Sequence, residues 1–273
     1  MTTVEPMRPV RYRTIFVSDA HLGFRGARAD YLLEFLDATE SEYLYLVGDM
    51  VDIWEMRKRV FWPREHALVV RRIMEKAWAG TKVVYLPGNH DEAMRDYNGS
   101  VIDNFSMVDQ VIHTTQDGRR LLVLHGDQFD TVVKCSRALS MLGSRVYGLL
   151  LRANHWVHLV RRLFGFPYWS LAAHLKYRVK NAMAYISSFE EMVAWEASRQ
   201  GVDGVVCGHI HHAEMREVDG VLYCNDGDWV ESCTCLVENH DGRLELLRWL
   251  EMRQTDAGGP AEDGQVMPAR DVA

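Results

Sequence analysis

Five short runs in this chain carry side chains suited to metal coordination. They are Asp19-Ala20-His21, Asp49 behind Gly48, Asn89-His90-Asp91 behind Gly88, His125 ahead of Gly126-Asp127, and His209-Ile210-His211 behind Gly208. In an extended or turning segment, residues i and i+2 can point the same way, so Asp19/His21 and His209/His211 can each offer two ligands to one site. The glycines let the backbone turn sharply and bring a metal or a phosphate close. A lone Asp-x-His is more often a turn or a helix cap. Five such runs together point instead to carboxylate, imidazole and amide groups gathered for chemistry on a bound metal.

Each run ends an apolar stretch. Thr14–Val17 reads as a buried strand ending at Ser18-Asp19, Tyr43–Val47 as one ending at Gly48-Asp49, and Lys82–Leu86 as one ending at Pro87-Gly88-Asn89-His90. Ala29–Ala38 and Arg64–Ala79 have helical spacing between them. Arg120–Leu124 runs into His125, and Gly204–Cys207 into Gly208-His209. Strands alternating with helices predict a layered α/β fold, with ligands gathered beyond the carboxyl ends of the strands. Glu214–Val218, Val221–Cys224, Cys233–Glu238 and Leu244–Trp249 read as further short strands, parted by turns such as Asp219-Gly220 and Asp241-Gly242. They predict a mostly antiparallel second sheet. The expected architecture is two facing mixed sheets flanked by helices, an αββα sandwich, over residues 1–253. A helical insertion at 131–190, broken near Gly165-Phe166-Pro167, interrupts it. The Gly-, Pro- and Asp-rich tail, 254–273, is expected to be disordered.

Charge is distributed unevenly. The net charge is −7, yet residues 131–189 contain nine Lys and Arg and no Asp or Glu, leaving 22 basic against 38 acidic residues elsewhere. The acidic average speaks against non-specific nucleic-acid binding. Apolar runs are broken before about 18 residues, so no membrane-spanning helix is expected. The start of the chain lacks the apolar core of a signal peptide, which predicts a cytoplasmic protein. Five scattered cysteines suit reduced thiols, and Cys233 and Cys235 read as same-face strand residues. His66, His113, His155, His158, His174, His212 and His240 belong to no ligand-spaced group and are read as surface or core residues.

The motifs resemble the calcineurin-like metallophosphoesterase superfamily: D-x-H at Asp19, G-D-x-x-D at Gly48–Asp52, G-N-H-D at Gly88–Asp91, H-G-D at His125 and G-H-x-H at Gly208–His211. The resemblance covers roughly residues 13–250, in the family order. It implies one metal held by Asp19, His21 and His211 and another by Asn89, His125 and His209, with Asp49 bridging. A mixed nitrogen and oxygen set without thiolate suits Mn²⁺ first, with Fe and Zn²⁺ behind it. Two such cations, about 3.5–4 Å apart, supply a nucleophile near neutral pH and stabilise charge on a phosphoryl group. His90 is then free to donate to a phosphoryl oxygen or the leaving group, with Asp91 orienting its ring. Asn89 doubles as a contact to substrate. Asp52 is expected to fix the loop around Asp49, and Asp127 to be structural.

Ser18–Gly23, Gly48–Ile53 and the helical insertion resemble the UDP-2,3-diacylglucosamine diphosphatase branch, which cleaves a nucleotide-linked lipid on the route to lipid A. One position departs from it, since that branch usually carries Arg where this chain has His90. The branch implies that the insertion is a lid over acyl chains. Here Leu142, Val146, Leu149, Ala153, Trp156, Val160 and Leu163 recur at helical spacing. An acid-free, basic and apolar segment suits an anionic amphiphile and contact with the inner membrane surface, with Lys176, Arg178 and Lys180 as substrate contacts. The competing readings are a phosphodiesterase for cyclic nucleotides or other small diesters, which has no use for such a segment; a protein phosphatase, which needs an open groove; and a non-catalytic scaffold, which has no need of all seven ligand candidates.

Overall fold

The structure, a computed structural model, describes residues 9–130 and 171–256, without the side chains of 171–184 and 254–256. Strand β1 (Val10–Val17) shows why the layers form. Its alternate residues point to opposite faces, so Ile15 and Val17 turn outward to helices while Phe16 turns inward to the other sheet. Parallel to it lie β2 (Thr39–Val47) and then β3 (Lys82–Leu86). Helix α1 (Ala29–Ala38) buries Leu32, Phe35 and Leu36, and α3 (Arg64–Trp78) buries Val69, Ile73 and Ala77. Both stripes cover the outer face of this sheet, against Ile15, Val17, Leu44, Leu46 and Val83. The short α2 (Ile53–Lys58) lies between them in sequence.

The chain continues through a 3-10 turn (Glu92–Tyr97), β4 (Val101–Ile102), β5 (Phe105–Met107), β6 (Gln110–Thr114) and β7 (Arg120–Leu124) to a second 3-10 turn (Asp127–Phe129). After it come α4 (Leu171–Arg199), β8 (Gly204–Cys207), β9 (Glu214–Val218), β10 (Val221–Asn225), β11 (Thr234–Glu238), β12 (Leu244–Arg248) and α5 (Trp249–Asp256). The sheets have seven strands, ordered β12-β11-β1-β2-β3-β5-β4, and five, ordered β6-β7-β8-β10-β9. Their inner faces meet through Phe16, Tyr45, Val47 and Leu86 on one side and Leu121, Val123, Val206 and Cys224 on the other. Helix α4 covers the outer face of the second sheet, placing Phe189, Val193 and Ala197 on Leu122, Leu124, Val205 and Tyr223. The result is the expected αββα sandwich of two mixed sheets.

Several expectations need correction. The late strands do not form one sheet: β9 and β10 join β6–β8, whereas β11 adds antiparallel to β1, with Thr14 opposite Glu238, and β12 adds antiparallel to β11. The second sheet is as much parallel as antiparallel, because β8 runs parallel to both β7 and β10. Cys233 precedes β11 with φ at 50°, so it shares no strand face with Cys235, although both are buried in the helix-side core. Strand β2 starts at Thr39 instead of Tyr43, and helix α5 carries order to Asp256, into the segment read as tail. Helix α4 begins at Leu171, inside the segment read as an insertion, and continues beyond it to Arg199. The expected stripe from Leu142 to Leu163, the break at Gly165-Phe166-Pro167, His155, His158 and the rest of the tail lie outside the described residues.

Candidate metal centre

All five runs sit at the carboxyl ends of strands: Asp19 after β1, Asp49 after β2, Asn89 after β3, His125 after β7 and His209 after β8. The backbone turns abruptly at each end. Asp19, His21, Asp49, His209 and His211 all have φ between 46° and 69°, the left-handed region that non-glycine residues rarely enter. Strain of this kind gathers at functional sites because a surrounding structure must enforce it. Two glycines are also spatially required. A Cβ at Gly48 would strike the ring of His125, and one at Gly88 would strike Asp49 Oδ1 and His125.

The turns bring the predicted ligands together. Ligand atoms of Asp19, His21 and His211 lie within 4.8 Å of one another, as do those of Asp49, His125 and His209; a third such group, His21, Asp49 and His90, lies between. Asp19 Oδ1 is 3.1 Å from His211 Nε2 and 3.7 Å from His21 Nε2. Asp49 Oδ2 is 3.3 Å from His125 Nε2, and its Oδ1 accepts the His90 backbone N–H at 2.7 Å. His125 donates Nδ1 to the Val47 carbonyl at 2.8 Å, which leaves Nε2 facing Asp49.

These residues fit a pair of divalent cations. Asp19 Oδ1, Asn89 Oδ1 and His125 Nε2 are buried without a hydrogen-bond partner, which natural structures seldom tolerate unless water or an ion completes the group. The charges agree. Burial pulls the His21 pKa down, but hydrogen bonds that its ring donates to Asp19 and Asp52, with the charges of Asp19 and Asp49, overcome it and hold the pKa at about 10. His125 is more deeply buried, which also pulls its pKa down, but Asp49 and Asp19 raise it to about 10. Burial resists ionisation of Asp19, but His21 and His211 outweigh it and hold its carboxyl well below the usual range. The centre thus calls for positive charge, which protons or metal ions can supply.

The carboxylates beside His90 have exchanged their expected parts. Asp91 does not orient the ring. Buried, its Oδ2 accepts from the N–H groups of Met50 (2.9 Å) and Val51 (3.3 Å) and from the Tyr85 hydroxyl, and its Oδ1 from the Gly88 N–H (2.6 Å). It fixes the loop around Asp49. Asp52 instead lies 3.1 Å from His90 Nδ1 and 3.3 Å from His21 Nδ1 and caps α2 through the Glu55 N–H. Asp127 is paired with Arg95 at 2.7 Å, a structural position as expected. His66 accepts the Gly23 N–H in the core, and His113 is buried between the sheets. Lys176, Arg178, Lys180 and His174 lie on the α4 backbone, with side chains outside the described residues.

Other residues at the site were not singled out in the sequence. Asp130 Oδ1 lies 2.8 Å from His209 Nε2. Asp226 is fully buried beside Asp19 and accepts from Ser18 at 2.6 Å, and burial pushes its carboxyl well above the usual carboxylate range. Asp228 shapes the next loop by accepting from Val230 N–H at 2.8 Å, and that loop's Trp229 N–H bonds the Asp19 carbonyl at 3.1 Å. The signal was the Asn225-Asp226-Gly227-Asp228 run following a strand. Trp54 lies on His90 with ring centroids 4.5 Å apart, and with Phe24 it is an exposed aromatic at the mouth. The cleft, about 280 Å³, is lined by His21, Phe24, Asp52, Glu55, His90, His211 and Val230. A larger hollow of about 780 Å³, lined by Arg72, Lys76, Glu40 and Thr81, contains none of the predicted ligands.

A family model described as calcineurin-like phosphoesterase matches residues 12–213. The chain belongs to that family. It is a metal-dependent phosphoester hydrolase, and membership implies divalent metals, for which the two Asp/His clusters are the candidate positions. Similar solved structures include a novel archaeal phosphodiesterase, 14% identical, covering 86% of this chain and 98% of that one with a TM-score of 0.40. The phosphoesterase YfcE from E. coli is 15% identical over 86% and 98%, at 0.37. The hypothetical protein PH1004 from Pyrococcus horikoshii is 10% identical over 93% and 96%, at 0.47. At such identities and TM-scores these likenesses add nothing to the family match. A search of curated protein sequences found no match. Among the described residues no helix is long and apolar enough to cross a membrane.

Proposed function

We propose that this phosphoesterase cleaves a phosphodiester or pyrophosphate bond in an anionic amphiphile, with a nucleotide-linked lipid such as UDP-2,3-diacylglucosamine as the leading candidate. The observation that carries the hydrolytic part is the pair of three-donor clusters at the strand ends. Asp19, His21 and His211 would hold one cation and Asn89, His125 and His209 the other, with Asp49 between them and Mn²⁺ the preferred metal. Bound there, two cations supply a nucleophile at neutral pH and neutralise charge on the phosphoryl group. The protein's part is placement. Asp52 Oδ1 lies 3.1 Å from His90 Nδ1 and faces that side of the ring, which leaves Nε2 for a phosphoryl or leaving-group oxygen, while Trp54 packs against the ring.

Two features support an amphiphilic substrate. Phe24, Trp54 and Val230 set apolar surface beside the charged centre, where it suits a substrate with an apolar or planar group next to its phosphate. The acid-free segment 131–189 adds nine cations and many apolar residues, including Lys176, Arg178 and Lys180 as proposed substrate contacts. The same segment suits peripheral contact with an anionic inner leaflet from the cytoplasmic side. The test is hydrolysis of a panel containing UDP-diacylglucosamine, a simple aryl phosphodiester and cyclic nucleotides, with products identified. Preference for the lipid-linked diphosphate supports the proposal. Preference for a cyclic nucleotide or the small diester replaces its substrate, and failure to hydrolyse any diester or pyrophosphate removes its chemistry.

A further inference from the structure

We propose that Asp130 is a positioning residue for His209, held in turn by Tyr185, so that the turn after His125 and helix α4 are tied together at one metal position. This rests on the two-metal reading above. A single atom makes the junction: Asp130 Oδ1 accepts from the Tyr185 hydroxyl at 2.8 Å and from His209 Nε2 at 2.8 Å. Asp130 closes the 3-10 turn that follows His125-Gly126, and Tyr185 stands on α4. One helical turn beyond Tyr185, Phe189 is fully buried with its ring 5.8 Å from that of His209. Helix α4 therefore reaches the same imidazole by two routes, through a hydroxyl and carboxylate and through a ring.

The consequence for His209 is chemical. Donation of the Nε2 proton to Asp130 puts the ring's lone pair on Nδ1, the form a metal ligand must have. Only one histidine of the cluster is oriented in this way, since His125 uses a main-chain carbonyl. His209 also has φ at 69°, and its N–H is committed to Asp19 Oδ2 at 2.9 Å, so a strained backbone and a directed ring are enforced together.

The test titrates Mn²⁺ into the metal-stripped full chain by calorimetry, in the wild type and in Asp130→Ala, Asp130→Asn and Tyr185→Phe. Loss of an outer partner of a ligating histidine is expected to weaken one of two sites by about 10–100-fold in Asp130→Ala and leave the other unchanged. Because both donors meet the same oxygen, Asn can still accept from both and should recover much of the affinity. Tyr185→Phe should weaken the same site by a smaller factor. Two unaltered sites in Asp130→Ala would overturn the proposal. So would equal weakening of both sites with a lower melting temperature of the stripped chain, which would assign Asp130 to the fold. A wild type that takes up no metal would instead remove the two-metal reading on which the proposal stands.

Discussion

Replacing Glu238 by Gln should cost stability in a pH-dependent way while sparing the chemistry. Glu238 is buried between the sheets and accepts from Thr14 (2.6 Å), the Gln116 N–H (2.7 Å) and Arg13 (2.7 and 2.8 Å), with His113 Nε2 at 2.8 Å. Burial alone would raise its pKa, but those hydrogen bonds outweigh it and carry the carboxyl from 4.5 down to about 2. Since the folded value is the lower one, the charged form stabilises the fold above pH 4.5, and this is lost as pH falls towards 2. The difference corresponds to about 3 kcal/mol at pH 7, of which a little over half is gone by pH 3. Urea unfolding of the metal-stripped chain should therefore place Glu238→Gln about 3 kcal/mol below the wild type at pH 7 and narrow the gap to about 1 kcal/mol at pH 3. Metal content and kcat of the folded variant should match the wild type, because Glu238 belongs to none of the ligand clusters. A gap below about 1 kcal/mol at pH 7, or one that does not narrow with acid, would refute the reasoning.

Asp49→Ala should lose both metals, since its carboxylate is grouped both with His125 and His209 and with His21 and His90; elemental analysis that still finds two ions per chain would contradict the bridging role. His90→Ala should keep its metals and lose roughly 10²–10⁴ in turnover, the range for a missing proton donor, and Asp52→Asn should fall in the same direction. Asp91→Asn should instead lower the melting temperature by removing the anchor of the Asp49 loop, and a purely kinetic defect there would restore the discarded assignment. Replacing Lys176, Arg178 and Lys180 by Ala should reduce kcat/KM for the lipid-linked diphosphate by about tenfold, equal to about 1.4 kcal/mol of transition-state binding, and spare a small aryl diester. Equal losses on both would assign the three cations to the fold.

The candidate ligands could be picked out because each is a local event, a polar residue released where an apolar strand ends. What escaped depends on contacts between distant segments. The order of the sheets is one case: β11 lies on β1 in a register that sets Thr14 beside Glu238, and nothing near residue 234 distinguishes that edge from the edge of the second sheet. Asp52 and Asp91 are another. Adjacency suggested that Asp91 serves His90, yet the residue after His90 points into the core, towards Tyr85 and the Met50 N–H, while the turn after Asp49 swings Asp52 over both His21 and His90. Asp130 was masked by composition, as the last carboxylate before a stretch that attracted notice for having none.

Five of the proposed ligands hold left-handed backbone at about 1–3 kcal/mol each, a sum on the scale of a domain's whole net stability of about 5–15 kcal/mol. Such a centre cannot stand on its ligands alone. Its acidic residues therefore divide by what they accept. Asp91 takes three backbone N–H groups and a hydroxyl, and Asp228 takes the N–H groups of Val230, Glu231 and Ser232, so both hold loops in place. Asp19 and Asp49 each give one oxygen to a single backbone N–H, of His209 and His90, and keep the other facing imidazole. The oxygens kept from the backbone are those available to metal, and this division, more than the presence of aspartates, marks the chemical centre.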